Sequence, residues 1–411
     1  LRGQEFDAWE RALHDIPKLA VAGGANGRLR RTLSQLPAFP LEGLGLGPAG
    51  AGSALDGQQL WRAYHLLSFL AHAYMWCEAS PASATPGASA PPPPTHLPAV
   101  LAVPWVAVAE ALDMPPVLVY ATYNLLNWRR LDVGPTAGGA QAGQGGPAAE
   151  EGGVRLGNIV CLQNFMASLD EEWFRLVHVD IEARAARALA LALPTQLAAA
   201  QGDEEEVEKG LLVVAEVLQE MQAVLGRMGE KCDPLVYYRR VRLPMSGWRN
   251  NPGLPGGLVY SGTSPGPGLP DLQLQLYGET GAQSSILPAF DAVLGVRHQQ
   301  GWLQDYLTDM RAHMPPAHRA FLTSLEASGG GEAVRQLCNQ RPALRDVYNE
   351  AVTQLQRFRS QHKSFAGTYI AKWAQQEERE ADVKGTGGTN FMPALGSYQG
   401  TTAKHRLQQA D

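Results

Sequence analysis

Cysteine is scarce in this chain. Cys77, Cys161, Cys232 and Cys338 are the four in 411 residues, far apart and with no CxxC pair. That spacing excludes a disulfide framework and a paired-cysteine zinc site, and a reducing, cytoplasmic setting is expected. Basic excess is missing too: 34 Lys and Arg stand against 40 Asp and Glu, a net charge of -6. Nucleic-acid binding would need the opposite balance. Charges of both signs are interspersed, so no polybasic patch points to a membrane surface. The longest apolar run, ARALALALPTQLAAA, is interrupted by Arg187 and Pro194. It is too short to span a bilayer and reads as a buried helix. The opening LRGQEFDAWERALHDIPKLA lacks the apolar stretch of a signal peptide. It begins on Leu1 and not on Met, so trimming upstream is expected. Period-two alternation is rare, and VYYRRVRL and GLVYSG are the short strand candidates.

What is present is a large interior. Hydrophobic residues make up 45% of the chain and charged residues 18%, and a chain of this length predicts two domains. Two low-complexity stretches, ASPASATPGASAPPPPTH (79–96) and VGPTAGGAQAGQGGPAAEEGG (133–153), lack the periodicity of packed elements. The second marks a boundary, dividing residues 1–155 from 156–411. GTSPGPGLPD (262–271) reads as a further loop. Between these lie helical patterns. Residues 56–76 are apolar on nearly every face. Residues 168–193 open with Ser168 and Glu171 at capping-box spacing, followed by an acidic first turn. Residues 203–228 open the same way, and further helices are expected at 288–310, 315–326 and 342–373. The fold class is therefore all-α, with little sheet.

Within the last of these helices, RFRSQHKSFAGTYI (357–370) places an imidazole in an apolar stripe. Ala351, Leu355, Phe358, Phe365 and Tyr369 recur at helical spacing, and His362 falls in line with them. The plain reading is a core histidine satisfied by one hydrogen bond. The sharper reading is an axial ligand to haem iron, held without covalent attachment because CxxCH is absent. Arg359, one turn earlier on nearly the same side, suits a porphyrin propionate; a surface arginine is the alternative.

Several strings in order add to this. LDMPPVLVYATYNLLNW (112–128), LPMSGWRNNPGLPGGLVYSG (243–262), GAQSSILPAFDAVLGV (281–296), DMRAHMPPAHRAFLTSLE (309–326) and KGTGGTNFMPAL (384–395) accompany the His362 helix. Together they closely resemble the indoleamine 2,3-dioxygenase family, from about Trp61 to Leu395. The resemblance implies a small N-terminal helical domain capping a larger, haem-binding helical domain. It implies heme b, ferrous in the active form, as cofactor. The implied reaction cleaves the indole C2–C3 bond of L-tryptophan, or a related indoleamine, with O2, giving N-formylkynurenine at the first step of the kynurenine pathway.

Carried over residue by residue, the resemblance makes His362 the iron ligand and Arg359 its propionate partner. Asp291 becomes an acid linked to that side of the haem. Arg242 becomes the clamp for the substrate carboxylate, with Arg239 and Arg240 left as solvated charge. Tyr237 falls at a distal aromatic that is usually Phe. Tyr120 and Tyr123 fall on the helix lining the indole pocket, and Phe174 at a pocket aromatic. His178 falls where some members have Ser and others His. It is either a distal hydrogen-bonding group for the indole N–H or O2, or a core residue. Gly385 and Thr386, in GTGGT, belong to a loop that closes over the substrate ammonium and the propionate; no strand precedes this loop and no Lys-Ser/Thr follows it, which sets aside a phosphate cradle. A monomer without nucleic-acid or membrane partners is expected. Two alternatives stay open: an oxygen-binding haem protein without turnover on the same scaffold, and a low-affinity paralogue for another indoleamine.

Overall fold

The computed structural model describes residues 1–23, 27–46, 57–78, 92–131, 153–298, 301–376 and 391–408. Helix dominates them. The N-terminal part holds α1 (Asp7–Gly23), α2 (Arg28–Ser34), α3 (Gly57–Trp76) and α4 (Ala99–Ala111). After residue 153 come α5 (Leu169–Gln201), α6 (Glu204–Gly226), α7 (Pro234–Val236), α8 (Ile286–Leu294), α9 (Trp302–Arg311) and α10 (Pro316–Ala327). They are followed by α11 (Gly330–Gln340), α12 (Pro342–Ala366), α13 (Lys372–Gln376) and α14 (Phe391–Ala403). The strands are two or three residues long. β1 (His96–Leu97) runs parallel to β4 (Leu258–Tyr260), and β4 pairs antiparallel with β5 (Leu272–Leu274). β2 (Trp128–Arg130) and β3 (Ile159–Cys161) form a separate antiparallel pair.

The caps explain where the long helices begin. The Ser168 hydroxyl accepts from the Glu171 amide at 3.2 Å, and Asp203 accepts from the Glu206 amide at 3.2 Å. The reciprocal half of the expected capping box is redirected. The Glu171 carboxylate accepts from the amides of Phe165 and Met166 at 2.8 and 2.7 Å, and so pins the chain entering α5. Pro194 does not stop α5, which runs on to Gln201. Its ARALALALPTQLAAA segment is buried on one side only, since Leu193 and Leu197 are exposed.

Two other expectations change. The helix expected at 288–310 is two helices, because Gly295 takes a left-handed conformation (φ 67°) and caps α8. GLVYSG supplies β4, but VYYRRVRL is helical. Asp233 accepts from the amides of Leu235 and Val236, Pro234 starts the turn, and a π-helical turn over Tyr237–Val241 continues it.

α5 packs on α6, and α6 on α12, with α14 laid across α12. α3 is buried on nearly every face, as expected. His72 in α3 donates from Nδ1 to the Pro244 carbonyl at 2.7 Å and accepts at Nε2 from the Leu118 amide at 2.9 Å. Trp76 donates to the Ser246 carbonyl at 2.8 Å. These bonds tie the N-terminal helices to the segment that follows Arg242. One contiguous apolar cluster reaches from Phe6 to Leu407 and takes side chains from both sides of residue 155. Among the described residues no helix is long and apolar enough to cross a membrane.

Candidate active site

A cavity of about 660 Å³ lies between α5, α6, α8, α12 and α14. Its apolar surface comes from residues such as Ile181, Leu225, Ile286 and Phe358. One wall is a run of rings. Phe174 meets His178 at 4.5 Å between centroids and Tyr237 at 4.8 Å; Tyr237 meets Tyr369 at 5.6 Å, and Tyr369 meets Phe365 at 5.7 Å. The run links α5 to the end of α12. Tyr120 joins it at 6.1 Å from His178. A flat, apolar ligand has the surface it needs here.

His362 lines this cavity from α12, one turn after Phe358 and Arg359. Its ring is partly open to the cavity. Among the described residues neither of its nitrogens has a hydrogen-bond partner. Burial, and then the proximity of His178, depress its pKa to about 4. The imidazole is therefore neutral at physiological pH, with a lone pair to offer. The one satisfying hydrogen bond of the core-histidine alternative is not found among the described residues.

Arg359 is 5% exposed. It donates to Asp291 Oδ2 at 2.6 Å and to the Thr402 hydroxyl in α14. His298, three residues past the cap of α8, also donates from Nε2 to Asp291 Oδ2, at 2.9 Å. Burial pushes the Asp291 carboxyl up, but Arg359 and His298 more than offset this and hold it below its ordinary value. All three groups line the cavity near His362. They come from α8, the segment after it, and α12, and only folding brings them together.

On the opposite helix, His178 donates from Nδ1 to the Phe174 carbonyl at 2.7 Å, and burial lowers its pKa. One turn on, Glu182 accepts from the Ser284 hydroxyl at 2.7 Å and lies against the Tyr120 hydroxyl. Burial pushes its carboxyl up to about 7 despite these partners. Glu279, which accepts from Asn124 at 3.1 Å, is pushed by burial to about 8. The sequence reading missed Glu182, Ser284, Glu279 and His298. Glu182 was open to discovery, four residues after His178 on the same helical face. The others lie in irregular segments with no periodicity to signal them.

Two expected residues stand elsewhere. Tyr123 does not line the cavity. It is fully buried, its ring stacked near Phe69 and Phe165 at 6.1 and 6.2 Å, with the Arg175 guanidinium 4.3 Å above it. The reason is backbone winding. Residues Ala121–Leu125 form a π turn, closed by the Leu126 amide on the Ala121 carbonyl, so Tyr123 falls off the face that Tyr120 occupies. Arg175 is likewise turned inward, paired with Glu171 at 3.1 Å and bonded to the Asn164 side chain at 2.6 Å. Arg242 closes the π turn that begins at Tyr237, its amide on the Tyr237 carbonyl at 3.0 Å. Its guanidinium lies over the Tyr238 ring at 5.3 Å, beside the wall of the cavity and not on it. Burial lowers its pKa. Gly385 and Thr386 fall outside the described residues.

Among the described residues no cluster of three or more His, Cys, Asp or Glu is placed to hold a bare metal ion. The donor set does suit a metalloporphyrin: a neutral imidazole with no hydrogen bond among the described residues, apolar walls, and the buried Arg359 guanidinium lining the same cavity. The model of the family described as Indoleamine 2,3-dioxygenase matches residues 1–405. Indoleamine 2,3-dioxygenase 1 of Rattus norvegicus is 31% identical, over 98% of this chain and 90% of that protein. Indoleamine 2,3-dioxygenase 2 of Homo sapiens is 30% identical over 86% and 81%, and indoleamine 2,3-dioxygenase of Saccharomyces cerevisiae 28% over 96% and 86%. With the match spanning the helices that form the cavity, the chain belongs to the indoleamine 2,3-dioxygenase family.

Proposed function

We propose that this cavity holds heme b and that the chain cleaves the indole C2–C3 bond of L-tryptophan, or a related indoleamine, with O2, giving N-formylkynurenine. The observation that carries the reading is His362: a neutral imidazole facing a ring-walled cavity, with neither nitrogen bonded among the described residues. His362 would hold the iron and Arg359 a propionate, with Asp291 fixing the Arg359 guanidinium. The bound haem supplies the iron at which O2 reacts. The rest is binding and positioning. Phe174, Tyr237 and Tyr120 offer faces and edges to the indole and exclude water from it. By the family resemblance Arg242 takes the substrate carboxylate, which requires its guanidinium to swing from the Tyr238 ring into the cavity, and Gly385 and Thr386 close over the ammonium end. Holding C2–C3 in one orientation removes part of the entropic barrier to reaction. In this proposal residues 1–155 form a cap, whose contribution to the wall is Tyr120, over the haem-holding residues 156–411. The chain works in the cytoplasm as a monomer.

The position of Arg242 beside the wall favours a second reading, an oxygen-binding haem protein without turnover. One experiment separates the two. Purified protein is reduced, oxygenated and mixed with L-tryptophan while the absorbance of N-formylkynurenine is followed. Product formation is expected from the wild type, and the His362→Ala variant is expected to lose its Soret band. A stable oxygenated spectrum with no product would favour storage; wild type that binds no haem would end both readings.

A further inference from the structure

We propose that His298 binds the haem periphery: its Nδ1 donates to the propionate that Arg359 takes, so that Asp291 anchors two donors on one carboxylate. The proposal rests on the haem reading above and adds a binding residue which that reading left out.

The starting observation is an orphaned buried atom. The His298 side chain is 7% exposed and lines the cavity, yet its Nδ1 is buried with no hydrogen-bond partner among the described residues. Buried polar atoms are seldom left unpaired, and a ligand in the cavity can pair this one. The neighbours decide what kind of ligand. The Asp291 carboxylate can only accept, so the His298 Nε2 bonded to it at 2.9 Å carries a hydrogen. The same oxygen, Oδ2, accepts from Arg359 at 2.6 Å. The two donor nitrogens therefore lie no further apart than those two bonds laid end to end. Both side chains also flank the Tyr398 ring of α14, at 4.9 Å for the His298 centroid and 5.5 Å for the Arg359 guanidinium carbon.

A carboxylate suits this pair. Arg359 gives one N–H to Asp291 and one to Thr402, and a guanidinium has five. With a carboxylate on each side of it, the His298 imidazole donates from both nitrogens. Two cations, Arg359 and His298, then face two anions, Asp291 and the propionate, and the buried set is neutral, as buried charges require. Hydrogen bonds between ionised partners are shorter and stronger than neutral ones. Two rivals for the orphaned atoms and for the propionate are on the same wall. Asp291 Oδ1 is also buried without a partner among the described residues, so a water could satisfy it and His298 Nδ1 together. Arg297, the preceding residue, is exposed and lines the cavity, and is the competing donor for the propionate.

The test uses the full chain loaded with natural haem or with haem dimethyl ester, in which both propionates are capped. His298→Gln sets an amide nitrogen about where Nε2 lies, so it keeps the bond to Asp291 and removes Nδ1. Loss of natural haem to excess apomyoglobin, followed in the Soret band, is expected to be about ten- to a hundredfold faster in this variant, the worth of one hydrogen bond to a charged group. Loss of the ester is expected to match wild type, and the propionate bending mode of natural haem in the resonance Raman spectrum to shift. Equal acceleration for haem and ester would mean that His298 only supports the fold, and unchanged loss of natural haem that water alone fills the site; either overturns the proposal. So does a deficit specific to natural haem in Arg297→Ala with none in His298→Gln. If the His298 variant does not load, wild type decides: nitrogen-15 spectra of its diamagnetic ferrous carbonyl form are expected to show both His298 nitrogens protonated with natural haem and one with the ester, and one in each overturns the proposal. All of these results leave the haem reading standing, whereas wild type with no Soret band overturns both.

Discussion

Replacing Arg359 by Leu strands a buried carboxylate. Asp291 Oδ2 accepts from Arg359 at 2.6 Å and from His298 at 2.9 Å, and Oδ1 has no hydrogen-bond partner among the described residues. Removing one partner of a buried ion pair costs about 3–5 kcal/mol, chiefly because the remaining charge is left unpaired. His298 keeps one bond to Asp291, so the expected loss is near the lower end, about 3 kcal/mol. Urea unfolding of haem-loaded and haem-stripped protein measures it. Stripped protein should show the same loss, which separates stability from cofactor retention. The double variant Arg359→Leu with Asp291→Asn should recover a substantial part of the loss, since the stranded charge is gone. The pH dependence has a definite sign. In wild type the Asp291 carboxyl lies below its ordinary 3.8, so its contribution is present above that value and is lost as pH falls through the lower folded one. In Arg359→Leu the largest of the opposing charges is gone, burial prevails, and protonation relieves the variant. Its deficit should therefore shrink on acidification. A variant within about 0.5 kcal/mol of wild type at neutral pH, or a deficit that grows in acid, would refute the reasoning.

Glu182→Gln should remove a pH dependence of stability. A carboxyl raised from 4.5 to about 7 favours the folded state fully below 4.5 and loses that contribution as pH rises through about 7. That shift corresponds to a loss on the order of 3 kcal/mol. Denaturation midpoints across this range check it, and equal slopes in variant and wild type would count against the assignment. Arg242→Ala should keep the Soret band but lose turnover on L-tryptophan; normal steady-state rates in that variant would refute the carboxylate role. Gly331→Ala should cost about 1–3 kcal/mol or more through overpacking, since its methyl would lie 2.0 Å from the Ala292 carbonyl oxygen and 2.9 Å from Gly295 Cα. These are backbone atoms that cannot rotate aside, and Ala292 adjoins Asp291, so haem affinity should fall with the melting temperature. A melting temperature equal to wild type would contradict the close approach.

Local signals were legible in the amino-acid order alone. Ser168 and Asp203 announced their helices because a short side-chain oxygen beside orphan amides acts within one turn. The stripe through Leu355, Phe358 and Tyr369 exposed His362 as a polar ring on an apolar face, and the ordered strings named the family. Other features depended on backbone winding and on partners distant in sequence. Asp233 and Pro234 turned VYYRRVRL into helix, and Gly295 split one expected helix into two. A π turn took Tyr123 away from Tyr120, because an i→i+5 bond changes which side chains share a face. The pairing of Asp291 with Arg359 and His298, and the raised carboxyls of Glu182 and Glu279, arose only when separate segments closed around one cavity. Capping and periodicity are set by near neighbours in the chain, whereas desolvation and charge pairing are set by whatever the fold brings alongside.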